Sequence, residues 1–236
     1  MNDYLKQRML DKEENPAYNT TMKEDPTGTP GPLFIVLSGK KQTGKDTAAL
    51  MASKMLYEAN KTFKITAFAE VLKDAAITVL GLDRDLVYGT NEDKETPTHV
   101  LWDTFPLSIR FKYRETWYMP LRSGPMTIRD VLQVMGTDIF RTMFDFNVWA
   151  NAPFNRDWGN LDVVIISDCR FPNEKRVTED HSGVIIRLER KTGLKDGHSS
   201  ETALDGRTFE CVYNNNGSME DLEAFMRGVL QKLNLL

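Results

Sequence analysis

Five consecutive apolar residues, Leu33, Phe34, Ile35, Val36 and Leu37, run directly into a polar loop bounded by Gly39 and Gly44. A run without alternation is what a strand requires when helices cover both its faces, as in a parallel sheet. Beyond the loop, Ala48, Met51, Ala52, Met55, Leu56 and Ala59 recur at helical spacing. The segment is therefore predicted to fold as strand, loop, helix, which commits the chain to an α/β architecture.

The same alternation continues downstream. A strand is predicted over 63–68, followed by a helix whose apolar face is Leu72, Ala75, Ala76, Val79 and Leu80, with Gly81 placed to end it. Thr127 is a predicted N-cap, with Asp130 three residues on, for a helix marked by Ile128, Val131, Leu132, Met135 and Ile139. Further strands are predicted over 161–167, 184–188 and 210–213, and a final amphipathic helix over 219–233. The expected fold is a three-layer α/β structure with a parallel sheet of about five strands. Ligands in such sheets bind beyond the carboxyl ends of the strands.

Two segments depart from this rhythm. Residues 1–31 are polar, with mixed charge and a proline- and glycine-rich end, and read as a flexible extension; a short amphipathic helix around 4–10 is the competing reading. Residues 83–120 are charged, aromatic and irregular, an insertion in which Trp102 and Trp117 either stack on a ligand or form a small core of their own. The domain proper is thus 32–236.

Thirty basic against 34 acidic side chains, a net charge of −4, provide no global positive field for holding nucleic acid. The apolar runs are too short to cross a bilayer. Two cysteines, Cys169 and Cys211, cannot build a disulfide framework, and the first fifteen residues lack the apolar core of a signal peptide. A cytoplasmic protein without membrane or nucleic-acid partners is expected.

The loop itself reads Gly39, Lys40, Lys41, Gln42, Thr43, Gly44, Lys45, Asp46, Thr47, which fits G-x-x-x-x-G-K followed by Asp-Thr. Between a buried strand and a helix, such a loop turns successive backbone N–H groups and the helix N-terminus toward one point, where phosphates bind. Lys45 supplies an ammonium for the β and γ phosphates. A Ser or Thr usually follows that lysine and ligates Mg²⁺. With Asp46 there instead, three readings stand: its carboxylate reaches the metal or its waters, Thr47 supplies the hydroxyl, or Asp46 simply favours the positive end of the helix.

A second cluster ends the strand Val163, Val164, Ile165, Ile166, Ser167: Asp168, Cys169, Arg170, Phe171, Pro172, Asn173, Glu174. Asp168 at a strand tip is placed to bind a metal-linked water or a substrate group. Arg170 is a fork for phosphate, and Glu174 is the partner expected to hold it.

With these residues in view, the sequence resembles the phage-type deoxynucleoside monophosphate kinases, within the P-loop kinase fold. The matching pieces are SGKKQTGKDT at 38–47, FAEVLK at 68–73, IRDVLQVMGTDIFR at 128–141, Trp149, ISDCRFPNE at 166–174, HSSE at 198–201 and YNNNGSMEDL at 213–222. The resemblance implies transfer of the ATP γ-phosphoryl group, with Mg²⁺, to a 2′-deoxynucleoside monophosphate. It implies an ATP site made of Gly39, Lys41, Gln42, Thr43, Gly44, Lys45, Asp46 and Thr47, with the metal handled by Asp46 or Thr47. It also implies a catalytic group of Lys45, Asp168, Arg170 and Arg129, and an acceptor site of Arg129, Trp149, Asp168, Arg170 and Glu174. A segment covering the acceptor over 82–125, a lid over 187–204 and a homodimer complete the picture. A solvated basic loop is the alternative for the lid, and an ordinary turn competes with contact to adenine at 214–217. Rival functions are a kinase for another small phosphorylated acceptor, resembling phosphomevalonate kinase, a motor or packaging ATPase, and a non-catalytic nucleotide-binding module.

Overall fold

The structure, a computed structural model, describes residues 31–113, 119–191 and 202–236. The N-terminal extension, Trp117, and most of the expected lid with its HSSE motif lie outside these described residues. In chain order the regular elements are β1 Leu33–Ser38, α1 Lys45–Glu58, β2 Phe63–Thr66, α2 Phe68–Leu80, α3 Arg84–Tyr88, β3 Pro97–Leu101, α4 Leu107–Lys112, β4 Pro125–Thr127, α5 Ile128–Gln133, α6 Val148–Asn155, β5 Val163–Cys169, α7 Pro172–Asp180, β6 Val184–Glu189, β7 Cys211–Asn214 and α8 Met219–Lys232. Among the described residues no helix is long and apolar enough to cross a membrane.

The chain divides into two compact units. One comprises the residues up to Phe68 together with Ala150–Leu236, and holds a five-stranded sheet of order β2-β5-β1-β6-β7. Every pairing in it is parallel. The uninterrupted apolar runs are explained by a core on each face. Ile35, Leu37, Val163, Ile165, Ile186 and Leu188 face α1 and α8 through Ala48, Ala52, Leu56, Leu222 and Met226. Val36, Val164, Ile166 and Ile185 face the other way, toward Phe68, Phe154, Leu204 and Phe209. Each fully buried Ile or Leu contributes about 1.5–3 kcal/mol, so neither face tolerates a polar residue in mid-strand.

One boundary differs from expectation for a reason that matters later. The predicted strand 63–68 stops at Thr66, and a helix begins at Phe68 because the Asp168 carboxylate accepts a hydrogen bond from the Phe68 N–H at 2.6 Å. A cap from a residue 100 positions away leaves no local sequence signal. Arg187 and Glu189, at the start of the segment expected as a lid, belong to β6.

The second unit, Ala69–Trp149, is larger than the insertion expected at 82–125. It has its own core of Ala76, Leu82, Val87, Trp102, Ile109, Met126, Ile128, Val131 and Val134. Trp102, 1 % exposed, is thus a core residue of this unit. β3 and β4 pair antiparallel within it. Thr127 and Asp130 form the anticipated capping box, and Gly81, at φ 64°, ends α2 by donating its N–H to the Ile77 carbonyl. The helix begun at Ile128 does not stay α-helical to Ile139: from Val134 to Phe144 it widens to a π-helix, closed by the Asp145 N–H on the Phe140 carbonyl at 2.9 Å.

Candidate active site

The loop between β1 and α1 is shaped by three positive backbone angles, at Gly39 (152°), Gln42 (63°) and Gly44 (95°). A Cβ on Gly39 would stand 2.5 Å from the Leu188 carbonyl oxygen, and one on Gly44 2.5 Å from Asn215 Nδ2. Both glycines are therefore required by close approach as well as by conformation. Lys45, 7 % exposed, curls back to donate from Nζ to the carbonyls of Gly39 and Lys40, each at 2.7 Å. The ammonium thus lies within the curve of the loop, where an anion cradled by its amides would meet it. Thr43 is buried and donates from Oγ1 to the Lys40 carbonyl at 2.9 Å, while Lys41, Gln42 and Asp46 are exposed and Thr47 half-buried.

The loop is also tied down from outside. Asn215, buried just past the end of β7, donates from Nδ2 to the Thr43 carbonyl at 2.9 Å and from its backbone N–H to the Glu189 carbonyl at 2.7 Å. The sequence reading placed 214–217 as a turn or an adenine contact. The structure gives Asn215 a different task, latching the loop. Its position immediately after a strand end was the available signal. Asn215→Ala is expected to leave the Thr43 carbonyl without its buried donor at a cost of about 1–3 kcal/mol. The melting temperature should fall by several degrees, and added ATP should raise it less than in the parent protein.

β5 brings the second cluster beside the loop. Ser38, the last residue of β1, pairs with Cys169 across a register shift, and its Oγ donates to the Cys169 carbonyl at 3.1 Å. Asp168 therefore stands on the strand adjoining the one that feeds the loop, at the same carboxyl edge. Its Oδ1 caps α2 as described. Glu174, 4 % exposed, accepts from the backbone N–H groups of Arg170 (2.7 Å) and Phe171 (3.0 Å), closing the first turn of α7. Glu174 thus grips the main chain at Arg170 and fixes where that residue leaves the strand. Burial, reinforced by Glu174 and Asp168, pushes the Cys169 thiol well above its usual range, so it is no nucleophile.

Arg129 and Trp149 belong to the other unit. Arg129 donates from Nε to Glu95 at 2.5 Å and from Nη2 to the carbonyl and side-chain oxygens of Asn91, both at 3.3 Å. Trp149 is 5 % exposed; its Nε1–H goes to the Gly136 carbonyl at 2.9 Å and its ring lies 4.9 Å from that of Phe140. Its packing accounts for a tryptophan at this position without a ligand. His198 lies outside the described residues.

A parallel sheet of order 2-5-1-6-7, with a glycine-bounded phosphate loop leaving its central strand for a helix and an acid on the adjoining strand, defines a protein of the P-loop kinase fold. Comparison with known proteins narrows this. The family profile for deoxynucleotide monophosphate kinase matches residues 110–226. A protein of Acanthamoeba polyphaga mimivirus, named provisionally as a deoxynucleotide monophosphate kinase, is 28% identical over 205 residues, covering 80% of this chain and 91% of its own. The deoxynucleotide monophosphate kinase of Escherichia phage RB69 is 26% identical over 110 residues, covering 44% of this chain and 45% of its own. The chain is similar to deoxynucleotide monophosphate kinases, and the resemblance read from its motifs is borne out.

Proposed function

We propose that this protein transfers the γ-phosphoryl group of ATP to the phosphate of a 2′-deoxynucleoside monophosphate, giving the diphosphate and ADP. The observation that carries the reading is the side-by-side placement of the Gly39–Thr47 loop and the Asp168–Glu174 strand end, joined through Ser38 and Cys169. An acceptor-phosphate oxygen attacks the γ-phosphorus while the bond from that phosphorus to the β,γ-bridging oxygen breaks, its electron pair leaving with ADP. The acceptor phosphate is already anionic near neutral pH, so no side chain need act as nucleophile or strong base. The task is to align two phosphates and to neutralise charge on the transferred group.

In this reading each residue takes one role. The loop amides, together with Gly39, Lys41, Gln42, Thr43 and Gly44, cradle the triphosphate, and Lys45 supplies charge to its β and γ groups. Arg170 stabilises the transferred phosphoryl, and Asp168 orients the acceptor or a metal-bound water. Arg129 grips the acceptor phosphate by exchanging its contacts with Glu95 and Asn91 for it, while Trp149, already committed to packing, supports the acceptor side. The oxygen donors at the start of α1, the Asp46 carboxylate and the Thr47 hydroxyl, suit Mg²⁺, which takes few protein ligands and completes its shell with phosphate and water. When bound, that ion neutralises charge on the β and γ phosphates. The reading extends to a cytoplasmic homodimer without nucleic-acid partners.

The test is ADP release measured with each deoxy- and ribonucleoside monophosphate in turn. Turnover that requires a deoxynucleotide acceptor is expected. ADP release that ignores the acceptor, that needs phosphomevalonate, or that is stimulated by DNA would each overturn the assignment.

A further inference from the structure

The last residues of β6 carry a charge that the roles above do not use. Arg187 is 7 % exposed and pairs with Ser38 across the β1–β6 ladder, directly beneath the phosphate loop. Its Nη1 donates to Ser38 Oγ at 3.1 Å, and its guanidinium lies 5.3 Å from the centre of the Phe209 ring. The two nearby carboxylates stand beyond hydrogen-bond distance: Asp205 Oδ1 is 3.8 Å from Nη2 and Glu189 Oε1 is 3.9 Å from Nε. Among the described residues, Nε is buried without a hydrogen-bond partner. Among the described residues the guanidinium thus has one neutral hydrogen-bond acceptor and two carboxylates at ion-pair range, a buried positive charge whose hydrogen-bonding capacity is not filled.

Asp205 also faces the loop. Its Oδ2 takes the Lys40 ammonium at 2.7 Å, so one carboxylate lies between a loop lysine and Arg187. We infer that Arg187 is a further positioning residue of the phosphate site. Through Ser38 it holds the base of the loop, and its positive charge favours the nucleotide's phosphates there, while Asp205 acts as a resting counter-ion that competes with those phosphates for Lys40.

This rests on the nucleotide reading of the loop, and it makes an electrostatic demand that mere support of the fold does not make. The neutral variants of the two partners must shift nucleotide affinity in opposite directions. Arg187→Gln is expected to weaken binding of a fluorescent ATP analogue about tenfold, and Asp205→Asn, at an exposed and therefore screened position, to tighten it about threefold. Arg187→Lys, which keeps the charge, should stay within about threefold of the parent protein. KM for ATP should follow the same order, with kcat changing less than KM. Circular dichroism and melting curves check folding. Should Arg187→Gln not fold, Asp205→Asn decides: tighter binding upholds the inference, and unchanged or weaker binding overturns it. A parent protein that binds the analogue alongside an Arg187→Gln variant that binds it equally well overturns the role of Arg187 alone. A parent protein that does not bind the analogue at all overturns the reading of the loop, and this inference with it.

Discussion

Replacing Lys45 by alanine is expected to yield a folded protein whose turnover is lower by about 10²–10³-fold, the scale for losing one preorganised electrostatic donor. The reason lies in where the ammonium sits. Lys45 is nearly buried, held at 2.7 Å by two carbonyls of its own loop, and so waits at the point on which the loop converges instead of being recruited from solvent. Its removal leaves the sheet, both hydrophobic faces and the Asn215 latch in place. The melting temperature should consequently move by only a few degrees. Steady-state rates with saturating ATP and acceptor check the first expectation, and a thermal melt the second. A variant retaining near-parental turnover would remove Lys45 from the chemistry.

The second large effect is expected at Asp168, where substitution by asparagine separates two tasks of one side chain. Oδ1 caps α2 through the Phe68 N–H at 2.6 Å, and asparagine preserves an oxygen there. Asparagine is also nearly as good a cap as aspartate. Stability should therefore change by less than about 1 kcal/mol. The negative charge is lost, however, and with it, on the proposed mechanism, the orientation of the acceptor or of a metal-bound water. Turnover should drop by about 10²-fold or more. Asp168→Ala is expected to lose the cap as well, costing an additional 0.5–2 kcal/mol or about that. Near-parental turnover for Asp168→Asn would show that the carboxylate serves only as a cap.

Much of this site is legible in the sequence because local chemistry imposes it. The run Leu33–Leu37 needs two covered faces, and the structure covers both. The capping box at Thr127 and Asp130 and the helix end at Gly81 depend on groups only a few residues apart, and both stand as read. The phosphate loop is likewise a local object whose glycines and lysine lie within nine residues. What escaped the reading lies across long loops. Asp168 as the cap of α2, Asn215 as the latch of the loop, and Asp205 as the partner of Lys40 join residues 100, 172 and 165 positions apart. Nothing in the immediate neighbourhood of Asp205 or of Lys40 specifies that pairing. Trp102 shows the converse: its composition-level reading stood open between a stacking platform and a local core, and only its burial among Val87, Ile109 and Met126 resolves it.

The amino-acid order alone thus determined the α/β alternation, the phosphate loop and the acid-bearing strand tip, since hydrophobic periodicity and glycine conformations act over a few residues. Which strand stands beside which was decided only by the folded sheet. Placing β5 against β1 sets Ser38 next to Cys169, and placing β6 on the other side of β1 brings Arg187 beneath the loop. Those adjacencies arise from burying both faces of a parallel sheet at once, a condition satisfied by the whole chain and not by any segment of it.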